Sequence, residues 1–162
     1  MGTRNLTKVI DKDNVTRVAQ YGQWDGYPEY TGTRILGFIS EYRMLEQIEK
    51  ALAKAEFVSE DYVDNAYNQR PEDFAIFYPS LTRDTGCDIL KTLVYSNGTV
   101  PLVDSSDFES DDLFCEGVYT INYYSRTFSS TYNGVTVSVE FDKLPTAEEY
   151  LKSFQALLTN AA

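Results

Sequence analysis

The order of strand-like and helix-like segments constrains the fold of this 162-residue chain more than any other feature. Residues 3–10 and 15–21 alternate in polarity around a polar turn at 11–14, which predicts an N-terminal β-hairpin. From residue 35 to about residue 55, apolar side chains recur at helical spacing, which predicts the longest helix of the chain. The strand pattern therefore gives way to a helical pattern early in the chain.

The second half of the chain carries sharper signals for the ends of elements. Ser59 and Asp84 are each predicted to cap a helix, and Thr146 with Glu149 forms a capping box before the last helix. Asn133-Gly134 predicts a hairpin between two alternating strands. Grouped strands and grouped helices indicate an α+β fold. We expect one domain over residues 1–162, with about four helices packed on an antiparallel sheet of about five strands, an N-terminal hairpin plus a C-terminal meander.

Composition excludes several classes of functional site. The chain has no histidine, which removes Ser–His and Cys–His pairs and every histidine-dependent metal site. Cys87 and Cys115 are predicted to be free thiols, and two cysteines alone cannot form a structural zinc site. We expect no cofactor and no metal. No segment approaches the roughly 20 apolar residues of a membrane helix. The first residues lack the apolar core of a signal peptide, so a cytoplasmic location is predicted.

The net charge of −11 is concentrated in the middle third of the sequence, because residues 56–116 hold 14 acidic and 3 basic side chains. Such a surface repels nucleic acid and attracts a basic partner. The spacing of its carboxylates does not match an EF-hand loop. The segment is either a solvated loop or a partner surface that mimics phosphate charge. The acidic residues predicted to form that surface are Asp104, Asp107, Glu109, Asp111, Asp112 and Glu116.

The segment from Gln20 to Pro28 combines amide side chains, aromatic rings and an acid with two glycines, and it contains the only tryptophan. Amides bind donors and acceptors, and aromatic faces stack on flat groups, so the segment suits a base, a sugar or a peptide backbone. The alternative is a structured loop in which Gly22 and Gly26 turn the chain. The candidate binding residues are Gln23, Trp24, Asp25 and Tyr27, with Gln20, Arg4 and Asn5 nearby.

A second candidate site is the run Arg83-Asp84-Thr85-Gly86, directly before a predicted helix. Exposed N–H groups at a helix N-terminus, next to an arginine, can hold a phosphate or a carboxylate. In the alternative, Asp84 is an ordinary helix cap. Arg83, Asp84 and Thr85 are therefore added to the candidate binding residues.

Met1–Thr7 and Ala19–Pro28 together resemble a family of small proteins found in bacteriophages, bacteria and fungi. Arg83–Gly86 and Glu116–Asn122 resemble later and less specific motifs of the same family, and the resemblance extends to about Gly134. Where a more typical member has Ile-Asp-Leu-Asp, this chain has Ile-Asn-Tyr-Tyr. The resemblance implies neither an activity nor catalytic residues. The phage association implies a role against a host defence system.

These observations predict a non-enzymatic accessory protein of a bacteriophage, acting in the host cytoplasm. Its predicted partner is a basic host protein or a small nucleotide-like ligand, without direct nucleic-acid binding or membrane contact. The alternative is a histidine-free hydrolase or transferase, or a protein that sequesters a nucleotide. Thr3 could act as an N-terminal nucleophile, although removal of Met1 leaves Gly2 in front of it. An enzyme should place Asp25 and Asp84, or Thr3, around one cleft, whereas a binding protein need not.

Overall fold

A computed structural model describes residues 2–161, which form an α+β fold around a five-stranded mixed sheet. The strands are, in chain order, β1 (Asn5–Ile10), β2 (Thr16–Gly22), β3 (Ala55–Phe57), β4 (Val100–Leu102), β5 (Gly117–Asn122), β6 (Thr127–Tyr132) and β7 (Val135–Glu140). The main sheet has the order β2-β1-β5-β6-β7, and β3 pairs with β4 in a small second sheet. The α-helices of the described residues are α1 (Thr33–Ile39), α2 (Met44–Ala51), α3 (Glu60–Gln69), α4 (Phe74–Phe77), α5 (Ile89–Tyr95) and α6 (Ala147–Ala161).

The predicted hairpin and meander are both present, but the sheet is not wholly antiparallel. β1 and β5 join the two halves as a parallel pair, with Asn5 opposite Gly117 and Ile10 opposite Asn122. Parallel neighbours need a long crossover connection, and here the helical part of the chain between β2 and β5 provides it. The other three strand pairs of this sheet are antiparallel.

The long helix predicted from residue 35 to about residue 55 is two helices, α1 and α2, and α6 is the longest helix of the described residues. The break lies between Ser40 and Arg43. Ser40 Oγ donates to the Leu36 carbonyl at 2.7 Å, and Arg43 adopts a left-handed backbone with φ of 57°. The apolar pattern continues across the break because α1 and α2 both contribute to the same core.

The predicted helix ends have mixed outcomes. Ser59 Oγ accepts from the Tyr62 N–H at 3.2 Å, and Thr146 Oγ1 accepts from the Glu149 N–H at 3.2 Å, so both caps are confirmed. Asp84 caps no helix, because a 3₁₀ turn at residues 86–88 precedes α5, which begins at Ile89. The Asp84 side chain is thereby left for a different contact.

The core lies between one face of the sheet and helices α1, α2, α5 and α6. Side chains alternate along each strand, so Thr7 and Tyr119, which are register partners, both point to this helix face. Tyr150 of α6 stacks on Phe128 at 6.1 Å and donates to Ser130 Oγ at 2.7 Å. These contacts attach the last helix to β6 of the meander.

Candidate ligand-binding cleft

A cleft of about 240 Å³ lies where the chain leaves β2 and meets the segment before α5. Gln23, Trp24 and Asp25 line one side, and Asp84 and Thr85 line the other. The two motifs singled out in the sequence therefore form one site, although they are far apart in the chain. Asp25 and Asp84 lie around the same cleft, which is the placement that the enzyme alternative required.

Hydrogen bonds between the two segments hold the cleft together. Trp24 Nε1 donates to Asp84 Oδ1 at 2.8 Å, and the Gln23 backbone N–H donates to the Arg83 carbonyl at 3.1 Å. The Arg83 guanidinium donates to Gln23 Oε1 at 2.9 Å. Trp24 remains 52% exposed, so these bonds orient the indole ring without burying it. An oriented, half-exposed indole offers a flat apolar face to a ligand.

Asn5, the first residue of β1, lies almost fully buried at the cleft. Its Nδ2 donates to the Thr3 and Trp24 carbonyls at 3.3 and 3.1 Å. These two acceptors determine which end of the amide is the oxygen. Within the described part of the chain, no donor reaches Asn5 Oδ1. A buried acceptor without a donor costs about 1–3 kcal/mol of stability.

In the structured-loop alternative Gly22 and Gly26 turn the chain, but their backbone conformation does not require glycine. Neither has a positive φ, and the left-handed residue of the segment is Asp25, with φ of 53°. The glycines instead allow close packing on Asn5. A Cβ on Gly22 would lie 2.5 Å from Asn5 Oδ1, and one on Gly26 would lie 2.7 Å from the Thr3 carbonyl oxygen. The Asn5 amide therefore occupies the place that a side chain at position 22 would take.

Arg34 and Asp88 also line the cleft, and sequence reasoning did not identify either of them. Their side chains form an ion pair at 2.7 Å, and the Arg34 guanidinium lies 5.0 Å from the centre of the Tyr30 ring. Position 34 falls on a helix start and position 88 in a turn, so no local pattern connects them. Burial, followed by the Asp88 charge, raises the pKa of the Cys87 thiol in the same wall. Cys87 is therefore a protonated thiol at neutral pH and a poor nucleophile.

Several predicted residues lie outside the lining of the cleft. Tyr27 donates to Asp25 Oδ1 at 3.3 Å, and its ring contacts Tyr30 edge-on at 6.4 Å. Gln20 is buried and its amide donates to the Ser80 carbonyl at 3.3 Å, as expected for a structural residue. The Thr3 carbonyl accepts from the Gly26 N–H at 2.9 Å. Tyr27, Gln20 and Thr3 thus support the cleft from outside it.

The acidic segment from residue 104 to residue 116 lies on the opposite face of the sheet from Asn5. Lys8 Nζ contacts Glu109 at 2.8 Å, and the Tyr21 and Phe108 rings meet edge-on at 5.0 Å. Lys8 and Tyr21 point away from the helix face, since side chains alternate along β1 and β2. The acidic segment therefore packs on the face opposite Asn5, where Tyr21 of the motif Gln20–Pro28 contacts it.

Three of the six predicted acidic side chains accept hydrogen bonds from backbone N–H groups. Asp104 Oδ1 accepts from the Ser106 N–H, and Asp111 Oδ1 accepts from the N–H groups of Leu113 and Phe114. Glu116 Oε2 accepts from the Arg4 N–H at 3.0 Å. Asp107 and Asp112 are exposed. Five of the six residues, all except Asp111, are exposed, so the acidic partner surface stays a prediction.

Comparisons of the chain with protein-family models, with curated proteins and with solved structures find no match. Among residues 2–161, no group of three or more acidic or cysteine side chains is placed to hold a metal ion. No helix in this range is both long enough and apolar enough to cross a membrane.

Proposed function

We propose that the chain is a binding protein that takes a small, flat, donor-bearing molecule into the cleft between Trp24 and Asp84. The observation that carries this proposal is the half-exposed indole of Trp24, which the bond to Asp84 Oδ1 holds in place at the cleft. The indole face would cover the ring of the ligand, and the carboxylates that line the cleft would accept from its N–H groups.

The charges of the cleft narrow the class of ligand. Three carboxylates, of Asp25, Asp84 and Asp88, line the cleft with one guanidinium, that of Arg34. The Arg34 charge is already paired with Asp88. A phosphate would meet net negative charge, whereas an amino-substituted base meets acceptors. Within the class of nucleotide-like ligands, we therefore favour a nucleoside or free base over a nucleoside phosphate, and the anion site predicted at Arg83–Gly86 loses support.

A carboxylate-based hydrolase is the second candidate, because Asp25 and Asp84 do line one cleft. The hydrogen bonds favour binding over catalysis. Asp84 Oδ1 accepts from the Trp24 indole, and Asp88 faces Arg34, so both serve as acceptors rather than as proton donors. Thr3 does not line the cleft, and the Cys87 thiol has a raised pKa. Of the acidic and nucleophilic groups considered, the Asp25 carboxylate is the one left to the hydrolase candidate.

We also propose a role against a host defence component. This part of the proposal rests only on the resemblance to a phage family. Removal of a small molecule from solution is one way in which a binding protein could act in that role. The cleft supports this mode, since its exposed indole and its acceptors favour a bound ligand.

Calorimetric titration with adenosine and with purine riboside, which lacks the exocyclic amine, tests the proposal. We expect adenosine to bind at least tenfold more tightly than purine riboside and than adenosine monophosphate. Trp24→Ala should abolish binding and retain the circular dichroism of the folded chain. Tyr42→Ala, at a side chain 88% exposed, is the matched aromatic control. Equal affinity for the three ligands, or no binding of any, would overturn the proposal, and a mass change in recovered adenosine would establish catalysis instead.

A further inference from the structure

The segment from residue 56 to residue 78, named here the acidic arm, contains α3 and α4 and is largely exposed. Ala66 is the one residue of α3 that is buried, and α4 has no buried residue. Six acidic residues and a single arginine lie in this segment. The arm therefore combines two solvent-facing helices with a strongly negative charge, at residues that the cleft does not use.

Apolar side chains project from this charged arm. Ile76 is 78% exposed and Phe77 is 54% exposed, and Tyr62 and Tyr67 are also exposed. Phe77 lies beneath the Arg70 guanidinium at 3.8 Å, a contact that holds the ring at the surface. Grouped exposed apolar side chains within a charged border are typical of a protein interaction surface.

The aromatic residues of the arm pack on one another and leave Ile76 outside. The Phe74 ring contacts Tyr67 edge-on at 5.5 Å and Tyr78 at 5.6 Å. These contacts give α4 a defined position, although it has only four residues. Because this packing does not need Ile76, its exposure has no explanation in the fold of the arm.

We infer that the acidic arm binds a basic polypeptide segment whose apolar side chains cover Ile76 and Phe77. The charge of the arm selects this occupant. A second copy of the chain would bring the same negative charge to the contact, and an anionic lipid surface would be repelled for the same reason. A segment rich in lysine or arginine is attracted, and its apolar side chains cover Ile76 and Phe77. The basic partner expected from the sequence is thereby assigned to residues 56–78 rather than to residues 104–116.

The inference is tested with a fluorescent 20-residue amphipathic peptide of leucine and lysine, and a control peptide of leucine and glutamate. Fluorescence anisotropy should show that the lysine peptide binds, with an affinity that falls at least fivefold between 50 and 500 mM salt. The glutamate peptide should not bind. Binding of both peptides, of neither peptide, or without salt dependence would overturn the inference.

Two exposed aliphatic residues provide a matched pair of variants. Ile76 and Leu113 are both 78% exposed, the first in the acidic arm and the second in the segment 104–116. Ile76→Ser should weaken peptide binding at least fivefold, and Leu113→Ser should change it less than twofold. The reverse ranking would assign binding to the segment 104–116. Sedimentation equilibrium of the protein alone should give a monomer, whereas a dimer broken by Ile76→Ser would identify a second copy as the occupant.

Discussion

Trp24 Nε1 donates a hydrogen bond to Asp84 Oδ1 at 2.8 Å, although 60 residues separate the two in the chain. The neighbouring backbone bond from Gln23 to Arg83 runs between the same segments. The cleft forms where the segment after β2 meets the segment before α5. Its geometry depends on the hydrogen bonds between these two segments.

The Trp24–Asp84 bond should be measurable as a coupling energy. Trp24→Phe retains a ring and removes the donor, and Asp84→Ala removes the acceptor. We expect each single variant to lower the free energy of unfolding by about 0.5–1.5 kcal/mol. The double variant should lose less than the sum of the two, in urea denaturation at neutral pH. Strict additivity would show that the bond contributes nothing in solution.

Gly22 should not tolerate a methyl group. Gly22→Ala brings a Cβ to 2.5 Å from Asn5 Oδ1, and relief of this overlap should cost about 1–3 kcal/mol of stability. Gly37→Ala is the matched control, since its Cβ meets nothing within 4 Å and it lies in α1. That substitution should raise stability by about 0.5–1 kcal/mol. Urea midpoints measure both, and a neutral Gly22→Ala would mean that the Asn5 amide is mobile.

Alkaline pH should unfold the protein through its buried phenols. Burial raises the pKa of Tyr119, Tyr123 and Tyr150 above the ordinary value of 10.0. As the pH rises, the unfolded chain therefore loses these phenol protons at a lower pH than the folded chain does. Their contribution to stability is complete below pH 10 and declines as the pH rises above it. We expect urea midpoints that are level to about pH 9 and fall beyond pH 10, with tyrosine ionisation at 295 nm coinciding with unfolding. Reversible ionisation of these phenols in folded protein would contradict this.

Acid should weaken the start of α6 through Glu149. The Thr146 backbone N–H lowers the pKa of Glu149 below the ordinary value of 4.5, because the capping box favours the carboxylate. This contribution is present above pH 4.5 and is lost as the pH falls through the lower folded pKa. Glu149→Gln should therefore be less stable than the natural chain at pH 7 and nearly equal to it at pH 2. A constant difference from pH 7 to pH 2 would exclude the carboxylate as the cause.

Both thiols should react slowly with Ellman's reagent in the folded protein. Burial raises the pKa of the Cys115 thiol to about 11, with Glu109 the next contribution, and burial also raises the pKa of Cys87. At pH 8, Cys115 should react on the order of 100-fold more slowly in the folded protein than in the urea-unfolded chain, because a smaller fraction of it is thiolate. Cys87→Ser and Cys115→Ser separate the two rates. A fast Cys87 would reopen the question of catalysis in the cleft.

The sequence predicted the elements that local chemistry specifies. The Asn133-Gly134 turn joins β6 to β7 with both residues at positive φ, and the capping box of Thr146 with Glu149 begins α6. Where an element depends on contacts between residues far apart in the chain, the prediction was wrong or incomplete. The helix expected from residue 35 to about residue 55 breaks near Arg43, because an apolar period cannot distinguish one long helix from two that share a core.

The sequence by itself determined the α+β class, the N-terminal hairpin and the C-terminal meander. Only the tertiary structure decided that Trp24 and Asp84 form one cleft, that Arg34 pairs with Asp88 there, and that the acidic segment lies on the other face of the sheet. The physical reason is the crossover that makes β1 and β5 parallel neighbours. It returns distant segments to the same edge of the sheet, and no local periodicity records which segments will meet.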